Sequence, residues 1–119
     1  MLKKDIWAMW RHDGCLEPLY EMENRENEIV VTIDLPYVRK DDIKVYVTEN
    51  MLEVSAEMRS AVSWERWGSI QRRITFSRFK KQIHLPEKVN PDEVSATFKN
   101  GVLRITLPKV RRHVPIKVE

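Results

Sequence analysis

The sequence predicts an all-β fold, an antiparallel β-sandwich, and two observations support this prediction. Apolar residues recur at every second position between the prolines, which is the period of a strand half-buried against a core. Turn-forming residues bound these stretches. One of them, Asn100-Gly101, accepts the positive φ angles of a tight hairpin. The connections "LPYVRKDD" and "LPEKVNPDEV" show no long helical repeat. Several short strands separated by such turns are typical of a sandwich.

Six stretches carry the alternation. In chain order their same-face residues are Ile29, Val31, Ile33 and Leu35; Ile43, Val45 and Val47; Leu52, Val54, Ala56 and Met58; Phe79, Lys81, Ile83 and Leu85; Val94, Ala96 and Phe98; and Leu103, Ile105 and Leu107. Lys81 is the one polar member of these sets. A further short strand is expected at "PLYEME".

Residues 1–17 do not fit a simple sandwich. Leu2, Ile6, Met9 and Trp10 fall on one helical stripe. Such a stripe fits a short helix that packs on its own domain. It also fits an apolar arm for self-association or for contact with other proteins.

Residues 59–78 form a long connection between predicted strands, and long connections are usually functional. They carry Trp64, Trp67, Ile70, Ile74 and Phe76, which is too apolar for a solvated loop. We therefore expect them to be covered, either by a hairpin that reaches over a partner subunit or by local folding back.

Composition restricts the class of protein. The 119 residues suit one domain with a real core. The 21 basic and 18 acidic residues are interspersed, which favours a mixed solvated surface over a phosphate-binding face. No apolar run approaches the ~20 residues of a membrane span. With one cysteine, Cys15, and no secretory signal pattern, the expected location is the cytoplasm.

The sequence carries little that predicts catalysis. It contains no nucleophile-elbow, zinc-protease or paired-cysteine motif, and its three glycines cannot form a phosphate loop. The acidic neighbours Asp13 and Glu17 do not favour a reactive thiolate at Cys15. The three histidines lie in separate segments: His12, His84 and His113. We therefore expect a non-enzyme with no cofactor and no metal.

Four ordered motifs resemble those of the small heat-shock proteins, over roughly residues 18–119. "ATFKNGVLRITLPK" matches the A-x-x-x-x-G-V-L signature of the alpha-crystallin domain. The signature residues are Ala96, Gly101, Val102 and Leu103. "FKKQIHLPEKVNPDEVSA" and "VVTIDLPYVRKDDIKVYV" resemble two upstream stretches, and Ile116-Lys117-Val118 resembles the short tail motif. The chain is similar to the non-animal type of the family.

This resemblance implies an immunoglobulin-like alpha-crystallin domain at 18–108, with an N-terminal arm at 1–17, a dimerisation loop at 59–78 and a tail at 109–119. It implies an ATP-independent holdase chaperone of the stress response, which binds partly unfolded clients and prevents their aggregation. The partners would be clients and further copies of the chain, as a dimer and then a larger homo-oligomer, with no nucleic acid.

The resemblance also implies roles for particular residues. The tail residues are Ile116 and Val118. The seven residues before Ile116 span about 23 Å when extended, which is enough to reach another dimer. The groove that accepts them would be formed by Ile43, Val45, Val47, Val94, Ala96 and Phe98. The dimer interface would include Trp64, Trp67, Ile70, Ile74, Phe76 and Lys81, of which Lys81 stands where the family usually has arginine. Client contact would fall to Ile6, Trp7, Met9 and Trp10.

Two other functions stay open at this point. One is a monomeric or dimeric β-sandwich binding or co-chaperone module, which typically lacks the long loop and the aliphatic tail. The other is a nucleic-acid-binding protein that uses "RRITFSRFKK" and "KVRRH".

Overall fold

The computed structural model of the protein describes residues 15–65, 73–110 and 118. The described residues form eight strands and one 3₁₀ turn, Pro91–Glu93. The strands are β1 Cys15–Leu16, β2 Tyr20–Asn24, β3 Glu28–Asp34, β4 Val38–Val47, β5 Met51–Glu65, β6 Arg73–His84, β7 Ser95–Lys99 and β8 Val102–Pro108. Each of the seven predicted strands is present. The helical stripe of Leu2, Ile6, Met9 and Trp10 lies outside the described residues, which include only residues 15–17 of the expected arm.

The strands form two four-stranded sheets, which confirms the sandwich. The first sheet has the order β1-β6-β5-β4 and the second has the order β2-β3-β8-β7. The short β1 runs parallel to β6, and every other paired strand in the two sheets is antiparallel.

The core lies between the sheets and uses the alternating positions that the sequence predicts. Ile29, Val31 and Ile33 of β3 lie opposite Leu107, Ile105 and Leu103 of β8, and all six are buried. From the first sheet come the buried side chains of Leu52, Val54, Ala56, Phe79 and Ile83. Burying one such aliphatic or aromatic side chain contributes about 1.5–3 kcal/mol, so the repeated alternation stabilises the stacking of the two sheets.

The connection between β1 and β2 determines which sheet edges meet. Only residues 17–19 join these strands, although β1 lies in the first sheet and β2 in the second. The four residue steps from Leu16 to Tyr20 span at most about 14 Å, so the β1 and β2 edges lie side by side. The opposite edge of the sandwich is therefore formed by β4 and β7.

Most of segment 59–78, which we expected to be a long loop, is strand. β5 continues to Glu65 and β6 begins at Arg73, and the two pair through Glu65↔Arg73. The pairing shifts between Glu57 and Val62, where the strand is irregular. Beyond the last β4 pair, at Met58, β5 extends seven residues or about 23 Å. We call residues 59–65 and 73–77 the hairpin arm.

Two tight turns have positive φ angles. Asn100 and Gly101 have φ of 53° and 77°, as predicted for the β7–β8 hairpin. Tyr37, between β3 and β4, has φ of 65°, which the sequence did not predict. A non-glycine residue in this region is uncommon and costs about 1–3 kcal/mol.

Candidate functional site

The first side of the expected groove lies on β4. Ile43, Val45 and Val47 lie opposite Ala56, Val54 and Leu52 of β5, so they are on the inner face of the first sheet. They are half-buried, and among the described residues β4 is an edge strand of that sheet. These apolar side chains are thus partly open to solvent.

The second sheet contributes the other wall of this groove. Ala96 and Phe98 lie opposite Ile105 and Leu103 of β8, which places them on the inner face of β7. Phe98 and the preceding Val94 pack partly buried against the core, whereas Ala96 is exposed. The structure therefore brings the six residues of the expected groove to one edge of the sandwich.

The tail that would enter such a groove is described at a single residue. The Val118 side chain is 91% exposed, so it does not enter the core of its own domain. Ile116 lies outside the described residues, as do Trp67, Ile70 and the four expected client-contact residues, Ile6, Trp7, Met9 and Trp10.

The β2 strand is the second exposed edge. It pairs with β3 on one side and is the last strand of its sheet. Its inner-face residues Tyr20 and Met22, opposite Ile33 and Val31, are exposed together with Leu19. An edge with exposed apolar side chains and unpaired backbone groups is a template for pairing with another chain.

The hairpin arm alternates apolar and polar residue pairs along its backbone register. Val62 lies opposite Phe76, and Trp64 lies opposite Ile74. Between and beyond these pairs come Ser63↔Thr75 and Glu65↔Arg73. The register therefore pairs apolar positions with apolar positions and polar positions with polar positions.

Lys81 lies inside the sandwich near the β1–β2 edge. It is opposite Val54, so it shares the inner face of β6 with Phe79. Its ammonium pairs with the Glu17 carboxylate and lies 5.1 Å from the centre of the Tyr20 ring. The resemblance assigned the charge of Lys81 to the dimer interface. In the structure, this charge has a partner, Glu17, within the same chain.

Sequence reasoning did not find Glu17 as this partner. The position of Lys81 on an apolar face did indicate that a carboxylate pairs with it, because a buried ammonium requires a compensating charge. Nothing in the sequence indicated which of the 18 acidic residues supplies it, since Glu17 is 64 positions away.

Exposed ion pairs perturb several ionisable groups on the second sheet. The Arg25 guanidinium donates hydrogen bonds to Glu23 and Glu28, at 3.1 Å each. The hydrogen bond and the charge of Arg25 lower the pKa of Glu23, and the two carboxylates raise the pKa of Arg25. Within the described ranges, no group of three or more His, Cys, Asp or Glu residues could hold a metal ion.

The signature residues have structural roles. Gly101 occupies the left-handed turn, and its carbonyl oxygen accepts a hydrogen bond of 2.8 Å from the Leu35 N–H. Leu103 is buried in the core, and Val102 pairs with Asp34 and Lys99 at the start of β8. Ala96 lies on the wall of the groove. The signature therefore positions β7 and β8 at the β4–β7 edge.

Comparison with protein families gives one matching description, the Hsp20/alpha crystallin family, over residues 21–119. Heat shock protein 16 from Schizosaccharomyces pombe is 32% identical over 105 residues, which cover 83% of this chain and 71% of that protein. The 17.4 kDa class I heat shock protein from Arabidopsis thaliana is 36% identical over 90 residues, or 72% of this chain and 56% of the relative. Against the 22.7 kDa class IV heat shock protein from Pisum sativum, the match is 38% identical and spans only 42% of that relative.

Solved structures give the same answer for the fold. Heat shock protein 16.0 from Schizosaccharomyces pombe superposes with a TM-score of 0.61 at 28% identity, covering 86% of this chain and 99% of that chain. A Del-C4 mutant of hsp14.1 from Sulfolobus solfatataricus P2 gives 0.64 at 28% identity, covering 92% of this chain and 96% of the other. The named relatives are all heat shock proteins. In the part of this chain that the structure describes, no helix has the length and apolar character to span a membrane.

Proposed function

Because the chain belongs to the Hsp20/alpha crystallin family, we propose that it is an ATP-independent holdase, which binds partly unfolded proteins and prevents their aggregation as an oligomer built from dimers. The family implies a chaperone role. The observation that supports this form of it is the hairpin arm, which continues beyond the last β4 pair and in which apolar positions are paired with apolar positions. An isolated two-stranded hairpin is at best marginally stable in water, so the arm requires cover.

A second copy of the chain supplies that cover in our proposal. Ile74 and Phe76 alternate with Arg73 and Thr75 along β6, as Tyr20 and Met22 alternate with Glu21 and Glu23 along β2. If the arm of one subunit adds to the β2 edge of its partner, apolar residues meet on one face and opposite charges meet on the other. Such an exchange is reciprocal and gives a closed dimer.

The β4–β7 groove and the tail would join one dimer to another. Ile116 and Val118 are two residues apart, so in an extended chain both side chains enter the same apolar slot. Two buried aliphatic side chains contribute about 3–6 kcal/mol before ordering costs. A single tail would exchange readily, whereas many tails in one particle would act together. Release of tails on heating would then expose the groove to clients.

Further parts of the proposal come from the sequence and the family. Client contact by Ile6, Trp7, Met9 and Trp10 rests on their composition, because aromatic and thioether side chains suit promiscuous binding. A cytoplasmic location and the absence of catalysis are likewise proposed from the sequence and the family.

The direct test of the holdase is the light scattering of a heat-labile client protein. We expect this protein to suppress aggregation at a few subunits per client molecule, without added ATP. An unrelated soluble protein at the same mass concentration is the control. Absence of suppression at this ratio would contradict the proposal.

Assembly is tested by the native mass from light scattering after size exclusion. We expect a particle much larger than a dimer for the parent protein and dimers for the Ile116→Gly/Val118→Gly variant. An equal, large mass in both would remove the tail from its role. A monomer in both would favour the alternative of a β-sandwich binding or co-chaperone module.

A further inference from the structure

The backbone at the start of the tail is held firmly against the domain. After β8 ends at Pro108, the Lys109 N–H donates to the Asn27 carbonyl oxygen at 2.9 Å. The Val110 N–H donates to Lys88 O at 3.1 Å, and Lys109 forms a bridge with Val89. The tail is thus directed by the domain as far as Val110.

One carboxylate adds a side-chain contact at this point. Glu87 forms an ion pair with Lys109, whose side chain is only 14% exposed. The backbone N–H of the same Lys109 donates to Asn27, which lies in the turn between β2 and β3. Glu87 therefore holds the side chain of a residue whose backbone lies against the end of the edge strand that, in our proposal, receives the arm of the partner.

We propose that Glu87 is a positioning residue for assembly: by holding Lys109 beside the β2–β3 turn it sets the direction in which the tail leaves relative to the β2 edge. This inference rests on the proposed tail-linked oligomer. With the direction set, each tail is presented to one neighbouring dimer at a defined angle. We call the ion pair of Glu87 with Lys109, together with the bond from the Lys109 N–H to Asn27, the tail clasp.

The clasp also limits the reach of the tail. From Val110 to Ile116 there are six residue steps, which span at most about 20 Å. If the chain were released from Pro108 onward, eight steps would span up to about 28 Å in many directions. A longer and less directed tether can reach more than one neighbouring groove, so loss of the clasp would give particles of several sizes.

The ionisation of Glu87 agrees with these contacts. A hydrogen bond from Lys109 is the main cause that lowers its pKa, and Asn24 also contributes. The carboxylate is therefore ionised at neutral pH, as the clasp requires.

Hydrogen exchange detects the clasp independently of assembly. In the Ile116→Gly/Val118→Gly background, which removes the proposed latch, we expect Glu87→Gln to speed exchange of the Lys109 and Val110 amides roughly two- to fivefold, as for loss of a partly exposed ion pair. Mass-spectrometric deuterium uptake of a peptide that covers these residues gives the rate. Glu26→Gln, in the exposed β2–β3 turn, is the matched control and should leave the rate unchanged. Equal exchange in both variants would overturn the clasp.

The positioning role is tested on the full chain by the distribution of native masses. We expect Glu87→Gln to broaden the distribution without dissociating dimers, and the charge reversal Glu87→Lys/Lys109→Glu to restore part of the parent distribution. Faster exchange with an unchanged mass distribution would overturn the positioning role. A parent protein no larger than a dimer would overturn the proposed assembly and this role with it, while the exchange result would still decide whether the clasp exists.

Discussion

Lys81 and Glu17 form an ion pair between the interior face of β6 and the short connection from β1 to β2. The same ammonium lies over the ring of Tyr20, the first residue of β2 in the opposite sheet. One lysine therefore ties the two sheets together at the edge that we propose as the acceptor of the partner's arm.

Lys81→Met should destabilise the fold by about 1 kcal/mol, because the Lys81 side chain is only 17% exposed but Glu17 is partly solvated. The free energy of unfolding from denaturant titration measures this. Lys81→Arg is the control, since it keeps the charge and the stacking on Tyr20. A methionine variant as stable as the parent would contradict this prediction. It would mean that the cost of desolvating the ammonium cancels the stabilisation from Glu17 and Tyr20.

The alternating apolar positions were sufficient to predict the core. Ile29, Val31 and Ile33 are buried as their period of two predicts. The signal is strong because a shift of one residue would turn every apolar side chain of a strand to solvent. The Asn100-Gly101 turn was predictable for an equally local reason, since its backbone angles favour those residues.

The surfaces were harder to predict because they depend on topology. Ile43 and Val54 have the same alternating pattern, yet Val54 is buried in a central strand and Ile43 is half-exposed at an edge. The resemblance to the family assigned Ile43 to a groove. The two-residue period alone could not separate Ile43 from Val54. The strand bounds of the hairpin arm could not be predicted from the period, because the shift in pairing between Glu57 and Val62 interrupts a single alternation.

Phe79→Ala should destabilise the fold by about 3–5 kcal/mol. Phe79 is fully buried in the first sheet, so truncation leaves a cavity that the two sheets cannot fill. A chemical denaturation curve gives the loss. Tyr46→Ala, at a side chain 60% exposed on β4, is the control and should change stability by less than about 0.5 kcal/mol. Similar losses in both variants would show that the core is not where the structure has it.

Tyr37→Gly should stabilise the fold by about 1 kcal/mol, because it relieves a φ of 65° that favours glycine. The melting temperature and the free energy of unfolding should both rise. Tyr37→Ala separates the backbone from the ring, since alanine keeps the Cβ atom but removes the aromatic group. An equal gain from alanine would attribute the effect to the exposed ring and not to the backbone angle.

Protonation should remove the contribution of Glu87 to stability in acid. Its pKa is lowered from its ordinary value of 4.5, chiefly by the hydrogen bond from Lys109. A depressed pKa means that the contribution is complete above 4.5 and is lost as the pH falls through the lower value in the folded protein. The difference in unfolding free energy between the parent and Glu87→Gln should therefore be present at pH 7 and shrink below pH 4.5. A difference that stayed constant across this range would exclude the ionised carboxylate as its source.

Met22→Asp should convert dimers to monomers with little effect on the stability of the subunit. Met22 is 38% exposed on the inner face of the edge strand β2, so the domain itself tolerates a polar group there. In the proposed exchange it would be covered by Ile74 or Phe76 of the partner's arm, and a buried carboxylate without a partner costs several kcal/mol. Sedimentation over a range of concentrations, in the Ile116→Gly/Val118→Gly background, measures the monomer–dimer equilibrium. Tyr46→Asp adds the same charge to an exposed position on β4 and should leave the dimer intact. Dimers of undiminished affinity in Met22→Asp would place the interface on a surface other than the β2 edge.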